Sequence, residues 1–506
     1  MSEPITRRTL LGATAGTAVA TVLAPTAASA AGAKVPAAVR ELDEKIQQAM
    51  AAYQVPGVAY GLRYRGVDYL RGFGVTSLDD PQPVDADTVF RVASTTKPFT
   101  GTAVMRLVER GRLDLDRTVR SYLPDFRTAD PAASARATVR QLLNHSAGWL
   151  GDFFLDTGSD DGALARYVAA MSGVPQLNPP GKVFNYNNAA ISVAGRLIEV
   201  ATGQTYERAI RQLVTGPLGL RHSAFSLDEI PGARWAVPHG PNEAGTELVP
   251  DPALWAMPRA INPAGGLISS ARDQLRWARF HLGSGRPLLS RRSLHAMQSN
   301  PGPGGTLLVE LDGMGVTWQL RPTREGTKVV QHGGDWDGQH SGFLMVPSRD
   351  FALTVLTNSV TGPVLLEDLF IGDWALQRFT GLHNLPAVPR ALPAAQLAAY
   401  QGVYTGQQIG FEGELVTSQF EMVPDAGQLS VRAGGAEVAR LAFYRKDYVV
   451  LPNPDGTIPA QRANFVRDRD GEVVWFRLGG RLYRRGDAAT TQLRSVPSWP
   501  LKPLLS

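Results

Sequence analysis

The stretch Arg91-Val-Ala-Ser-Thr-Thr-Lys-Pro-Phe-Thr-Gly101 places a serine, Ser94, three residues before a lysine, Lys97. Residues i and i+3 of a helix share a face, so a helix that opens here brings the lysine amine to the serine hydroxyl. Pro98 has no N–H and fits best in a first helical turn, where N–H groups lack intrahelical partners. The stretch therefore predicts Ser94 at the mouth of a helix, near its positive dipole end.

The chemistry of such a pair depends on the state of the lysine. A serine hydroxyl is a weak nucleophile without an adjacent base, and lysine serves as that base only if its pKa is lowered. Burial beside another cation lowers it. An ordinary surface pair is the alternative. The apolar residues that follow, closed by Gly111, indicate an amphipathic helix and favour catalysis: Val104, Met105, Leu107 and Val108.

A second candidate group, Tyr186 and Asn188, directly precedes a stripe of apolar residues at helical spacing that ends at Gly203. The two side chains can face one cleft if this loop is extended, and loops held by rigid elements often carry catalytic groups. The alternative is that Asn187 or Asn188 only caps the helix.

A third candidate segment, His332-Gly333-Gly334-Asp335, ends a strand-like run. Its two glycines allow a substrate backbone to approach closely. Another histidine, His145, stands in Asn-His-Ser-Ala-Gly, a composition typical of turns, which favours a structural role over a catalytic one.

The three patterns occur in the order Ser94-x-x-Lys97, Tyr186-x-Asn188 and His332-x-Gly334. Together they resemble the serine penicillin-recognising superfamily, which comprises class C β-lactamases, D,D-peptidases, D-aminopeptidases and related esterases. The resemblance covers about residues 38–380. Three further segments that frame the motifs strengthen it: Asp87-Thr-Val-Phe90, Leu142-Leu-Asn-His-Ser-Ala-Gly148 and Leu356-Thr-Asn358.

The resemblance implies a role for each motif residue. Ser94 would be the acylated nucleophile, Lys97 a base that helps take its proton, and Tyr186 the group that passes this proton to the leaving group. Asn188 would orient the substrate amide. Residues 332–334 would line the strand on which substrate docks, with the backbone N–H groups of Ser94 and Asp335 as the oxyanion hole. No metal or cofactor is implied.

The third motif departs from the family pattern. Many members have Lys-Thr-Gly where this chain has His332-Gly333-Gly334, so a charge and a hydroxyl that help hold a substrate carboxylate are missing. Histidine at the first position resembles certain D,D-peptidases and D-aminopeptidases, whereas the missing hydroxyl resembles esterases. Because an unperturbed histidine has a pKa of about 6.5, His332 is expected to read substrate charge only as the pH falls.

Fold class and domains follow from the predicted elements and the resemblance. Residues 36–382 are expected to form an α+β hydrolase domain, an antiparallel sheet with flanking helices and an all-helical subdomain. A proline-rich linker, residues 383–396, leads to a small antiparallel β-barrel at 397–490. The arginines of the barrel are interpreted as a face exposed to solvent, and contact with an anionic wall polymer is the alternative. These arginines are Arg467, Arg469, Arg477, Arg481, Arg484 and Arg485.

Residues 1–30 predict a twin-arginine export signal, with paired Arg7 and Arg8, a mildly apolar stretch and the cleavage pattern Ala28-Ser-Ala30. An uncleaved membrane anchor is the alternative, although Pro25 interrupts the stretch. The expected location is therefore extracytoplasmic, with no membrane span after cleavage. The net charge of +5 is scattered, which argues against nucleic-acid binding, and the chain has no cysteine for thiolate chemistry.

The expected function is an exported serine hydrolase that works through an acyl-enzyme. A D-amino-acid-specific peptidase of the D,D-carboxypeptidase or D-aminopeptidase type is preferred, acting on a small molecule or a peptide such as a peptidoglycan fragment. Alternatives are a carboxylesterase, a weak β-lactamase, a non-catalytic penicillin-binding or wall-binding module, and a peptide cyclase. An α/β-hydrolase is excluded because the chain has no G-x-S-x-G motif.

Overall fold

The computed structural model describes residues 35–452 and 461–486. The α-helices are α1 (Ala37–Tyr53), α2 (Lys97–Glu109), α3 (Pro131–Arg136), α4 (Val139–Leu143), α5 (Ala163–Ala170), α6 (Asn188–Thr202), α7 (Tyr206–Ile210), α8 (Asn262–Gly265), α9 (Ala271–Leu282), α10 (Arg291–Ser299), α11 (Gly362–Leu366), α12 (Trp374–Thr380) and α13 (Ala394–Leu397). The strands are β1 (Gly57–Tyr64), β2 (Val67–Gly74), β3 (Val89–Arg91), β4 (His239–Pro241), β5 (Leu248–Pro250), β6 (Ile268–Ser270), β7 (Gly305–Leu307), β8 (Val309–Leu311), β9 (Gly313–Met314), β10 (Gln319–Arg321), β11 (Val329–Trp336), β12 (Gln339–Val346), β13 (Phe351–Thr357), β14 (Gly402–Ile409), β15 (Leu415–Asp425), β16 (Gln428–Ala433), β17 (Ala436–Arg445), β18 (Tyr448–Val450), β19 (Arg462–Arg467), β20 (Val473–Leu478) and β21 (Arg481–Arg485).

Seven strands form an antiparallel sheet in the order β2-β1-β13-β12-β11-β10-β9. β1 and β2 are joined by a tight turn in which Arg65 and Gly66 both have positive φ, which places their strands in a hairpin. One sheet face packs on apolar residues of α1, α11 and α12, including Leu42, Ile46 and Leu376. Helix α9 packs against the other face, on β1, β2, β12 and β13.

The core of the helical part is formed around α2, α6 and α9. The apolar stripe of α6 is buried along almost its whole length because neighbouring helices cover it on several sides. Phe99 of α2 stacks on Trp277 of α9, with ring centroids 4.0 Å apart. This packing holds the start of α2 against the sheet, which is where Ser94 lies.

Strands β14 to β21 close into an antiparallel barrel. Its interior is filled with aromatic rings, among them Tyr404, Phe420, Phe465 and Phe476. The α+β sheet, the helical part and the barrel confirm the predicted fold class. The domain limits at residues 382, 396 and 490 stay predictions, and residues 487–490 lie outside the described part of the chain.

The barrel docks on the hydrolase part through buried polar contacts. Arg477 is 2% exposed, and it donates hydrogen bonds from Nε to the Phe184 carbonyl and from Nη1 to Asn464 Oδ1. Glu310 accepts hydrogen bonds from Arg462 and from the Tyr444 hydroxyl. The interpretation of the barrel arginines as one solvated face is therefore wrong for Arg477, because backbone carbonyls of the hydrolase part need donors at this interface.

The predicted export signal, residues 1–30, lies outside the described residues. Among residues 35–452 and 461–486, the structure contains no helix with the length and apolar character needed to cross a membrane.

Candidate active site

Ser94 lies in a short 3₁₀ turn, Ala93–Thr96, that connects β3 to α2. The α-helix itself begins at Lys97, because Pro98 is tolerated only in the first turn of a helix. Within this turn the Lys97 Nζ lies 2.8 Å from the Ser94 Oγ and donates a 2.7 Å hydrogen bond to the Ala264 carbonyl. The predicted approach of the lysine amine to the serine hydroxyl is thus present.

Lys97 is fully buried, and it has the electrostatic surroundings that a basic role requires. Burial lowers the pKa of Lys97 well below its usual value, and the positive charge of Arg481 lowers it further. The carboxylate of Asp152 acts in the opposite direction but does not outweigh these effects. The neutral amine is therefore favoured, and a neutral amine can accept the proton of Ser94.

Tyr186 belongs to the extended loop that precedes α6. Its ring is 5% exposed, and the centroid lies 4.9 Å from the Lys97 Nζ. Burial raises the pKa of Tyr186, and a hydrogen bond with Ser94 only partly offsets this effect. The phenol therefore stays protonated next to the serine, in position to donate its proton and then to be reprotonated.

The capping alternative for this loop applies to Asn187. Its Oδ1 accepts a 2.7 Å hydrogen bond from the Ala190 N–H at the start of α6. Asn188 is consequently not needed as a cap, and its Nδ2 donates a 2.7 Å hydrogen bond to Asp152 Oδ1. The structure brings Asn188 into the same polar network as Tyr186, through Asp152 and Arg481.

His145, for which the sequence analysis favoured a structural role over a catalytic one, lies beside the candidate catalytic residues. The turn conformation was expected, and His145 has φ of 56°. However, the ring is also buried and stacks on Tyr186 with centroids 4.6 Å apart, while its Nδ1 accepts a 2.8 Å hydrogen bond from the Asn187 N–H. His145 therefore positions Tyr186, and the sequence carries no signal for this contact beyond the turn composition.

The predicted docking strand is the end of β11. The register of β10 on β11 covers residues 329–331, so the β10–β11 ladder ends before His332. A Cβ atom added to Gly334 would lie 2.1 Å from the Val92 carbonyl oxygen and 3.0 Å from the Ser94 nitrogen. Gly334 therefore allows β11 to pass directly beside the Ser94 backbone, which is the arrangement an oxyanion hole formed by Ser94 and Asp335 requires.

Gly333 differs from its neighbour in its surroundings. A Cβ atom added there would meet only the Ser341 carbonyl oxygen, at the ordinary contact distance of 3.5 Å, and the residue is exposed. A side chain would fit at position 333, so steric crowding does not explain why Gly333 replaces the hydroxyl-bearing residue of the Lys-Thr-Gly pattern.

His332 does not have the environment that the sequence analysis expected. The residue is 1% exposed, and its ring lies 6.2 Å from the Tyr186 ring, centroid to centroid. Burial and the nearby Lys97 lower the pKa of His332 to about 3. The expectation that this histidine becomes charged between pH 5 and 8 is therefore wrong, because burial of the ring disfavours the charged imidazolium.

We expect the preference for an anionic over a neutral substrate to be independent of His332 titration. A folded-state pKa of about 3 keeps the ring neutral down to roughly pH 4, so the ratio of kcat/KM for a carboxylate-bearing peptide and a neutral ester should not rise as the pH falls from 8 to 5. His332→Gln should leave the pH profile of this ratio unchanged. A rise of threefold or more that disappears in His332→Gln would contradict this prediction.

Arg481, at the start of β21, places a positive charge over the ring of Tyr186. Its guanidinium lies 4.8 Å from the centroid of the Tyr186 ring, and its Nε donates a 2.9 Å hydrogen bond to Asp152 Oδ2. The carbonyl of the preceding residue, Gly480, accepts a 2.9 Å hydrogen bond from the Tyr186 N–H. The barrel thus contributes a hairpin turn to the active site. The sequence analysis missed this role because Arg481 and Tyr186 are far apart in the chain.

These features, a buried Ser-x-x-Lys pair, a neighbouring tyrosine and an open strand edge, define a serine hydrolase of the β-lactamase fold. Comparison with known proteins agrees. The family model described as Beta-lactamase matches residues 42–374, and the chain belongs to this family.

Relatives of several kinds are similar to the chain. Penicillin-binding protein 4 of Amycolatopsis lactamdurans is 34% identical over 364 residues, which cover 70% of this chain and 95% of that protein. Esterase EstB of Burkholderia gladioli is 35% identical over 233 residues, 43% of this chain and 58% of that protein. Crystal structures of SurE and of SurE with D-Leu are each 26% identical, with TM-scores of 0.68 and 0.66, and cover 89% of this chain and 99% of theirs.

Proposed function

We propose that this serine hydrolase is a D-amino-acid-specific peptidase in which Ser94 forms the acyl-enzyme. Lys97 takes the Ser94 proton, Tyr186 passes it to the leaving group, and the N–H groups of Ser94 and Asp335 hold the oxyanion. Asn188 orients the substrate amide, and residues 332–334 line the docking edge. Water then hydrolyses the acyl-enzyme.

The observation that carries the choice of a peptidase is the position of Arg481. The guanidinium lies over Tyr186, the residue assigned to the leaving group, and the side chain is 42% exposed. Arg481 donates one hydrogen bond from Nη1 to the Gly479 carbonyl and one from Nη2 to Asp152, besides the hydrogen bond from Nε to Asp152. Each terminal nitrogen thus uses one of its two N–H groups. The second N–H of each remains to bind the carboxylate of a departing C-terminal residue. Arg481 thus takes the place of the charge lost at His332, and the similarity to SurE with D-Leu supports a D-residue.

The nucleophile is tested by covalent labelling. A fluorophosphonate should add one adduct per chain to the peptide that contains Ser94, as detected by mass spectrometry, because Lys97 activates this hydroxyl. Ser94→Ala should remove the adduct, whereas Ser146→Ala should retain it. An undiminished adduct in Ser94→Ala would exclude Ser94 as the nucleophile.

The peptidase assignment is tested with an N-acyl-D-Ala-D-Ala peptide and the same peptide as its C-terminal amide. We expect Arg481→Ala to lower the ratio of kcat/KM for acid over amide by roughly tenfold, the size of a charged hydrogen bond partly open to water. The ratio cancels the effect of Arg481 on the pKa of Lys97, which both substrates share. Arg484→Ala, an exposed arginine on the same strand, is the control.

Failure of the wild-type protein to cleave either peptide would contradict the assignment. A carboxylesterase is the second candidate, because Gly333 lacks the hydroxyl of the Lys-Thr-Gly pattern and EstB is similar in sequence. Rapid hydrolysis of a short-chain ester without turnover of the D-peptides would favour it.

We further propose that the protein is exported through the signal at residues 1–30. The paired arginines and the Ala28-Ser-Ala30 pattern support this proposal. The protein recovered outside the cytoplasm should have the mass of a chain that starts at Ala31, and an intact N-terminus there would contradict cleavage.

A further inference from the structure

Three aromatic rings from separate parts of the chain meet at one edge of the active site. We call Phe154, Trp336 and Phe411 the aromatic cluster. Their ring centroids are 6.4 Å apart for Phe154 and Trp336, 6.3 Å for Phe154 and Phe411, and 6.4 Å for Trp336 and Phe411. Phe154 and Trp336 are half-buried, and Phe411 is 38% exposed. Phe154 also packs against the core of the helical part, so the cluster extends from this core to partly exposed apolar surface at Phe411.

The rings are held in place by the backbone. The Phe154 N–H donates to the Ile409 carbonyl, the Asp156 N–H donates to the Phe411 carbonyl, and both hydrogen bonds measure 2.8 Å. The turn after β14 is thereby fixed to the loop that follows α4. The Trp336 Nε1–H donates a 3.1 Å hydrogen bond to the Ala256 carbonyl, which orients the indole.

The cluster adjoins the reacting groups on two sides. Trp336 directly follows Asp335, and it lies two residues beyond Gly334, or about 7 Å along the strand at a rise of about 3.3 Å per residue. Phe154 lies two residues after Asp152, which holds Asn188 and Arg481. The cluster therefore lies next to the strand end that carries Gly334 and Asp335 and next to the loop that carries Asp152.

The position of the aromatic cluster determines which part of the substrate it can contact. In the proposed mechanism the carbonyl oxygen points to the N–H groups of Ser94 and Asp335, and the leaving group points to Tyr186 and Arg481. The remaining substituent of the tetrahedral carbon is the acyl side. The end of β11 next to the oxyanion hole, where Trp336 lies, is the surface left for it.

We propose that the aromatic cluster is a subsite for a bulky apolar side chain, aromatic or branched aliphatic, on the acyl side of the scissile bond. This inference rests on the proposed acyl-enzyme mechanism and adds the substrate class. Half-exposed aromatic surface gains from covering by apolar groups, and preformed rings lose little conformational entropy when they bind.

The test compares p-nitrophenyl esters of N-acetyl-D-phenylalanine and N-acetyl-D-alanine, which share a leaving group and differ only on the acyl side. We expect kcat/KM to favour the phenylalanine ester by about 10- to 100-fold, the range that hydrophobic pockets achieve between large and small side chains. Phe411→Ala should reduce this preference at least threefold, with kcat/KM for the alanine ester within twofold of the wild type.

Two variants control for folding and general surface effects. Val438→Ala removes an apolar side chain of equal exposure, 38%, from another part of the barrel and should leave the preference unchanged. Phe411→Leu should retain part of it. A wild-type preference below threefold, or equal loss for both esters in Phe411→Ala, would overturn the subsite. Since both probes are activated esters, that outcome is separate from a failure to cleave D-peptides, which would instead overturn the peptidase assignment.

Discussion

Tyr186→Phe is expected to lower kcat/KM by roughly 10²–10⁴-fold, the contribution of a positioned general acid–base. The substitution keeps the ring, and with it the contacts to His145 and Arg481. It removes only the hydroxyl that interacts with Ser94. Because burial raises the pKa of this phenol, the group enters the reaction protonated and must exchange its proton during each acyl transfer.

The measurement is steady-state kinetics on a D-peptide or ester, with thermal unfolding followed in parallel. Tyr206→Phe is the matched control, because its hydroxyl is also buried but pairs with Thr100 Oγ1, at 2.8 Å, and not with Ser94. Tyr206→Phe should unfold at a somewhat lower temperature than the wild type and should keep the wild-type kcat/KM. A loss of less than tenfold in a normally folded Tyr186→Phe would assign Tyr186 to packing.

Gly334→Ala is expected to reduce acylation of Ser94 by roughly 10²–10³-fold, as the loss of an oxyanion-hole donor does. A Cβ atom at this position would lie 2.1 Å from the Val92 carbonyl oxygen, a backbone atom that cannot rotate aside. β11 must therefore move away from the Ser94 backbone, and the N–H groups of Ser94 and Asp335 no longer converge on one oxygen.

Gly333→Ala provides the control from the adjacent residue. The added methyl group has only an ordinary contact, 3.5 Å from the Ser341 carbonyl, so acylation should change by less than about threefold, within what a surface substitution does. The rate of fluorophosphonate labelling measures both variants, and circular dichroism verifies their folding. Equal labelling of Gly334→Ala and wild type would mean that β11 does not form the oxyanion hole.

Local sequence already contained much of the fold and the motif set. The spacing of Ser94 and Lys97, with Pro98 behind them, depends on helix geometry within one turn, and the structure places the two side chains 2.8 Å apart. The β1–β2 hairpin and the barrel strands likewise follow from alternation and turn residues. These features are predictable because the residues that cause them are neighbours in the chain.

The environment of the site was decided by tertiary structure. The local sequence around His332 does not show whether its ring faces solvent or the interior, and the tertiary packing that buries the ring near Lys97 lowers its pKa to about 3. Arg481 lies nearly 300 residues from Tyr186, and only docking of the barrel brings its charge to the catalytic pair. The pKa of Lys97 depends on both burial and this cation. Local sequence thus specifies which groups can react, whereas long-range packing sets the charge state of Lys97 and brings the Arg481 guanidinium to the site.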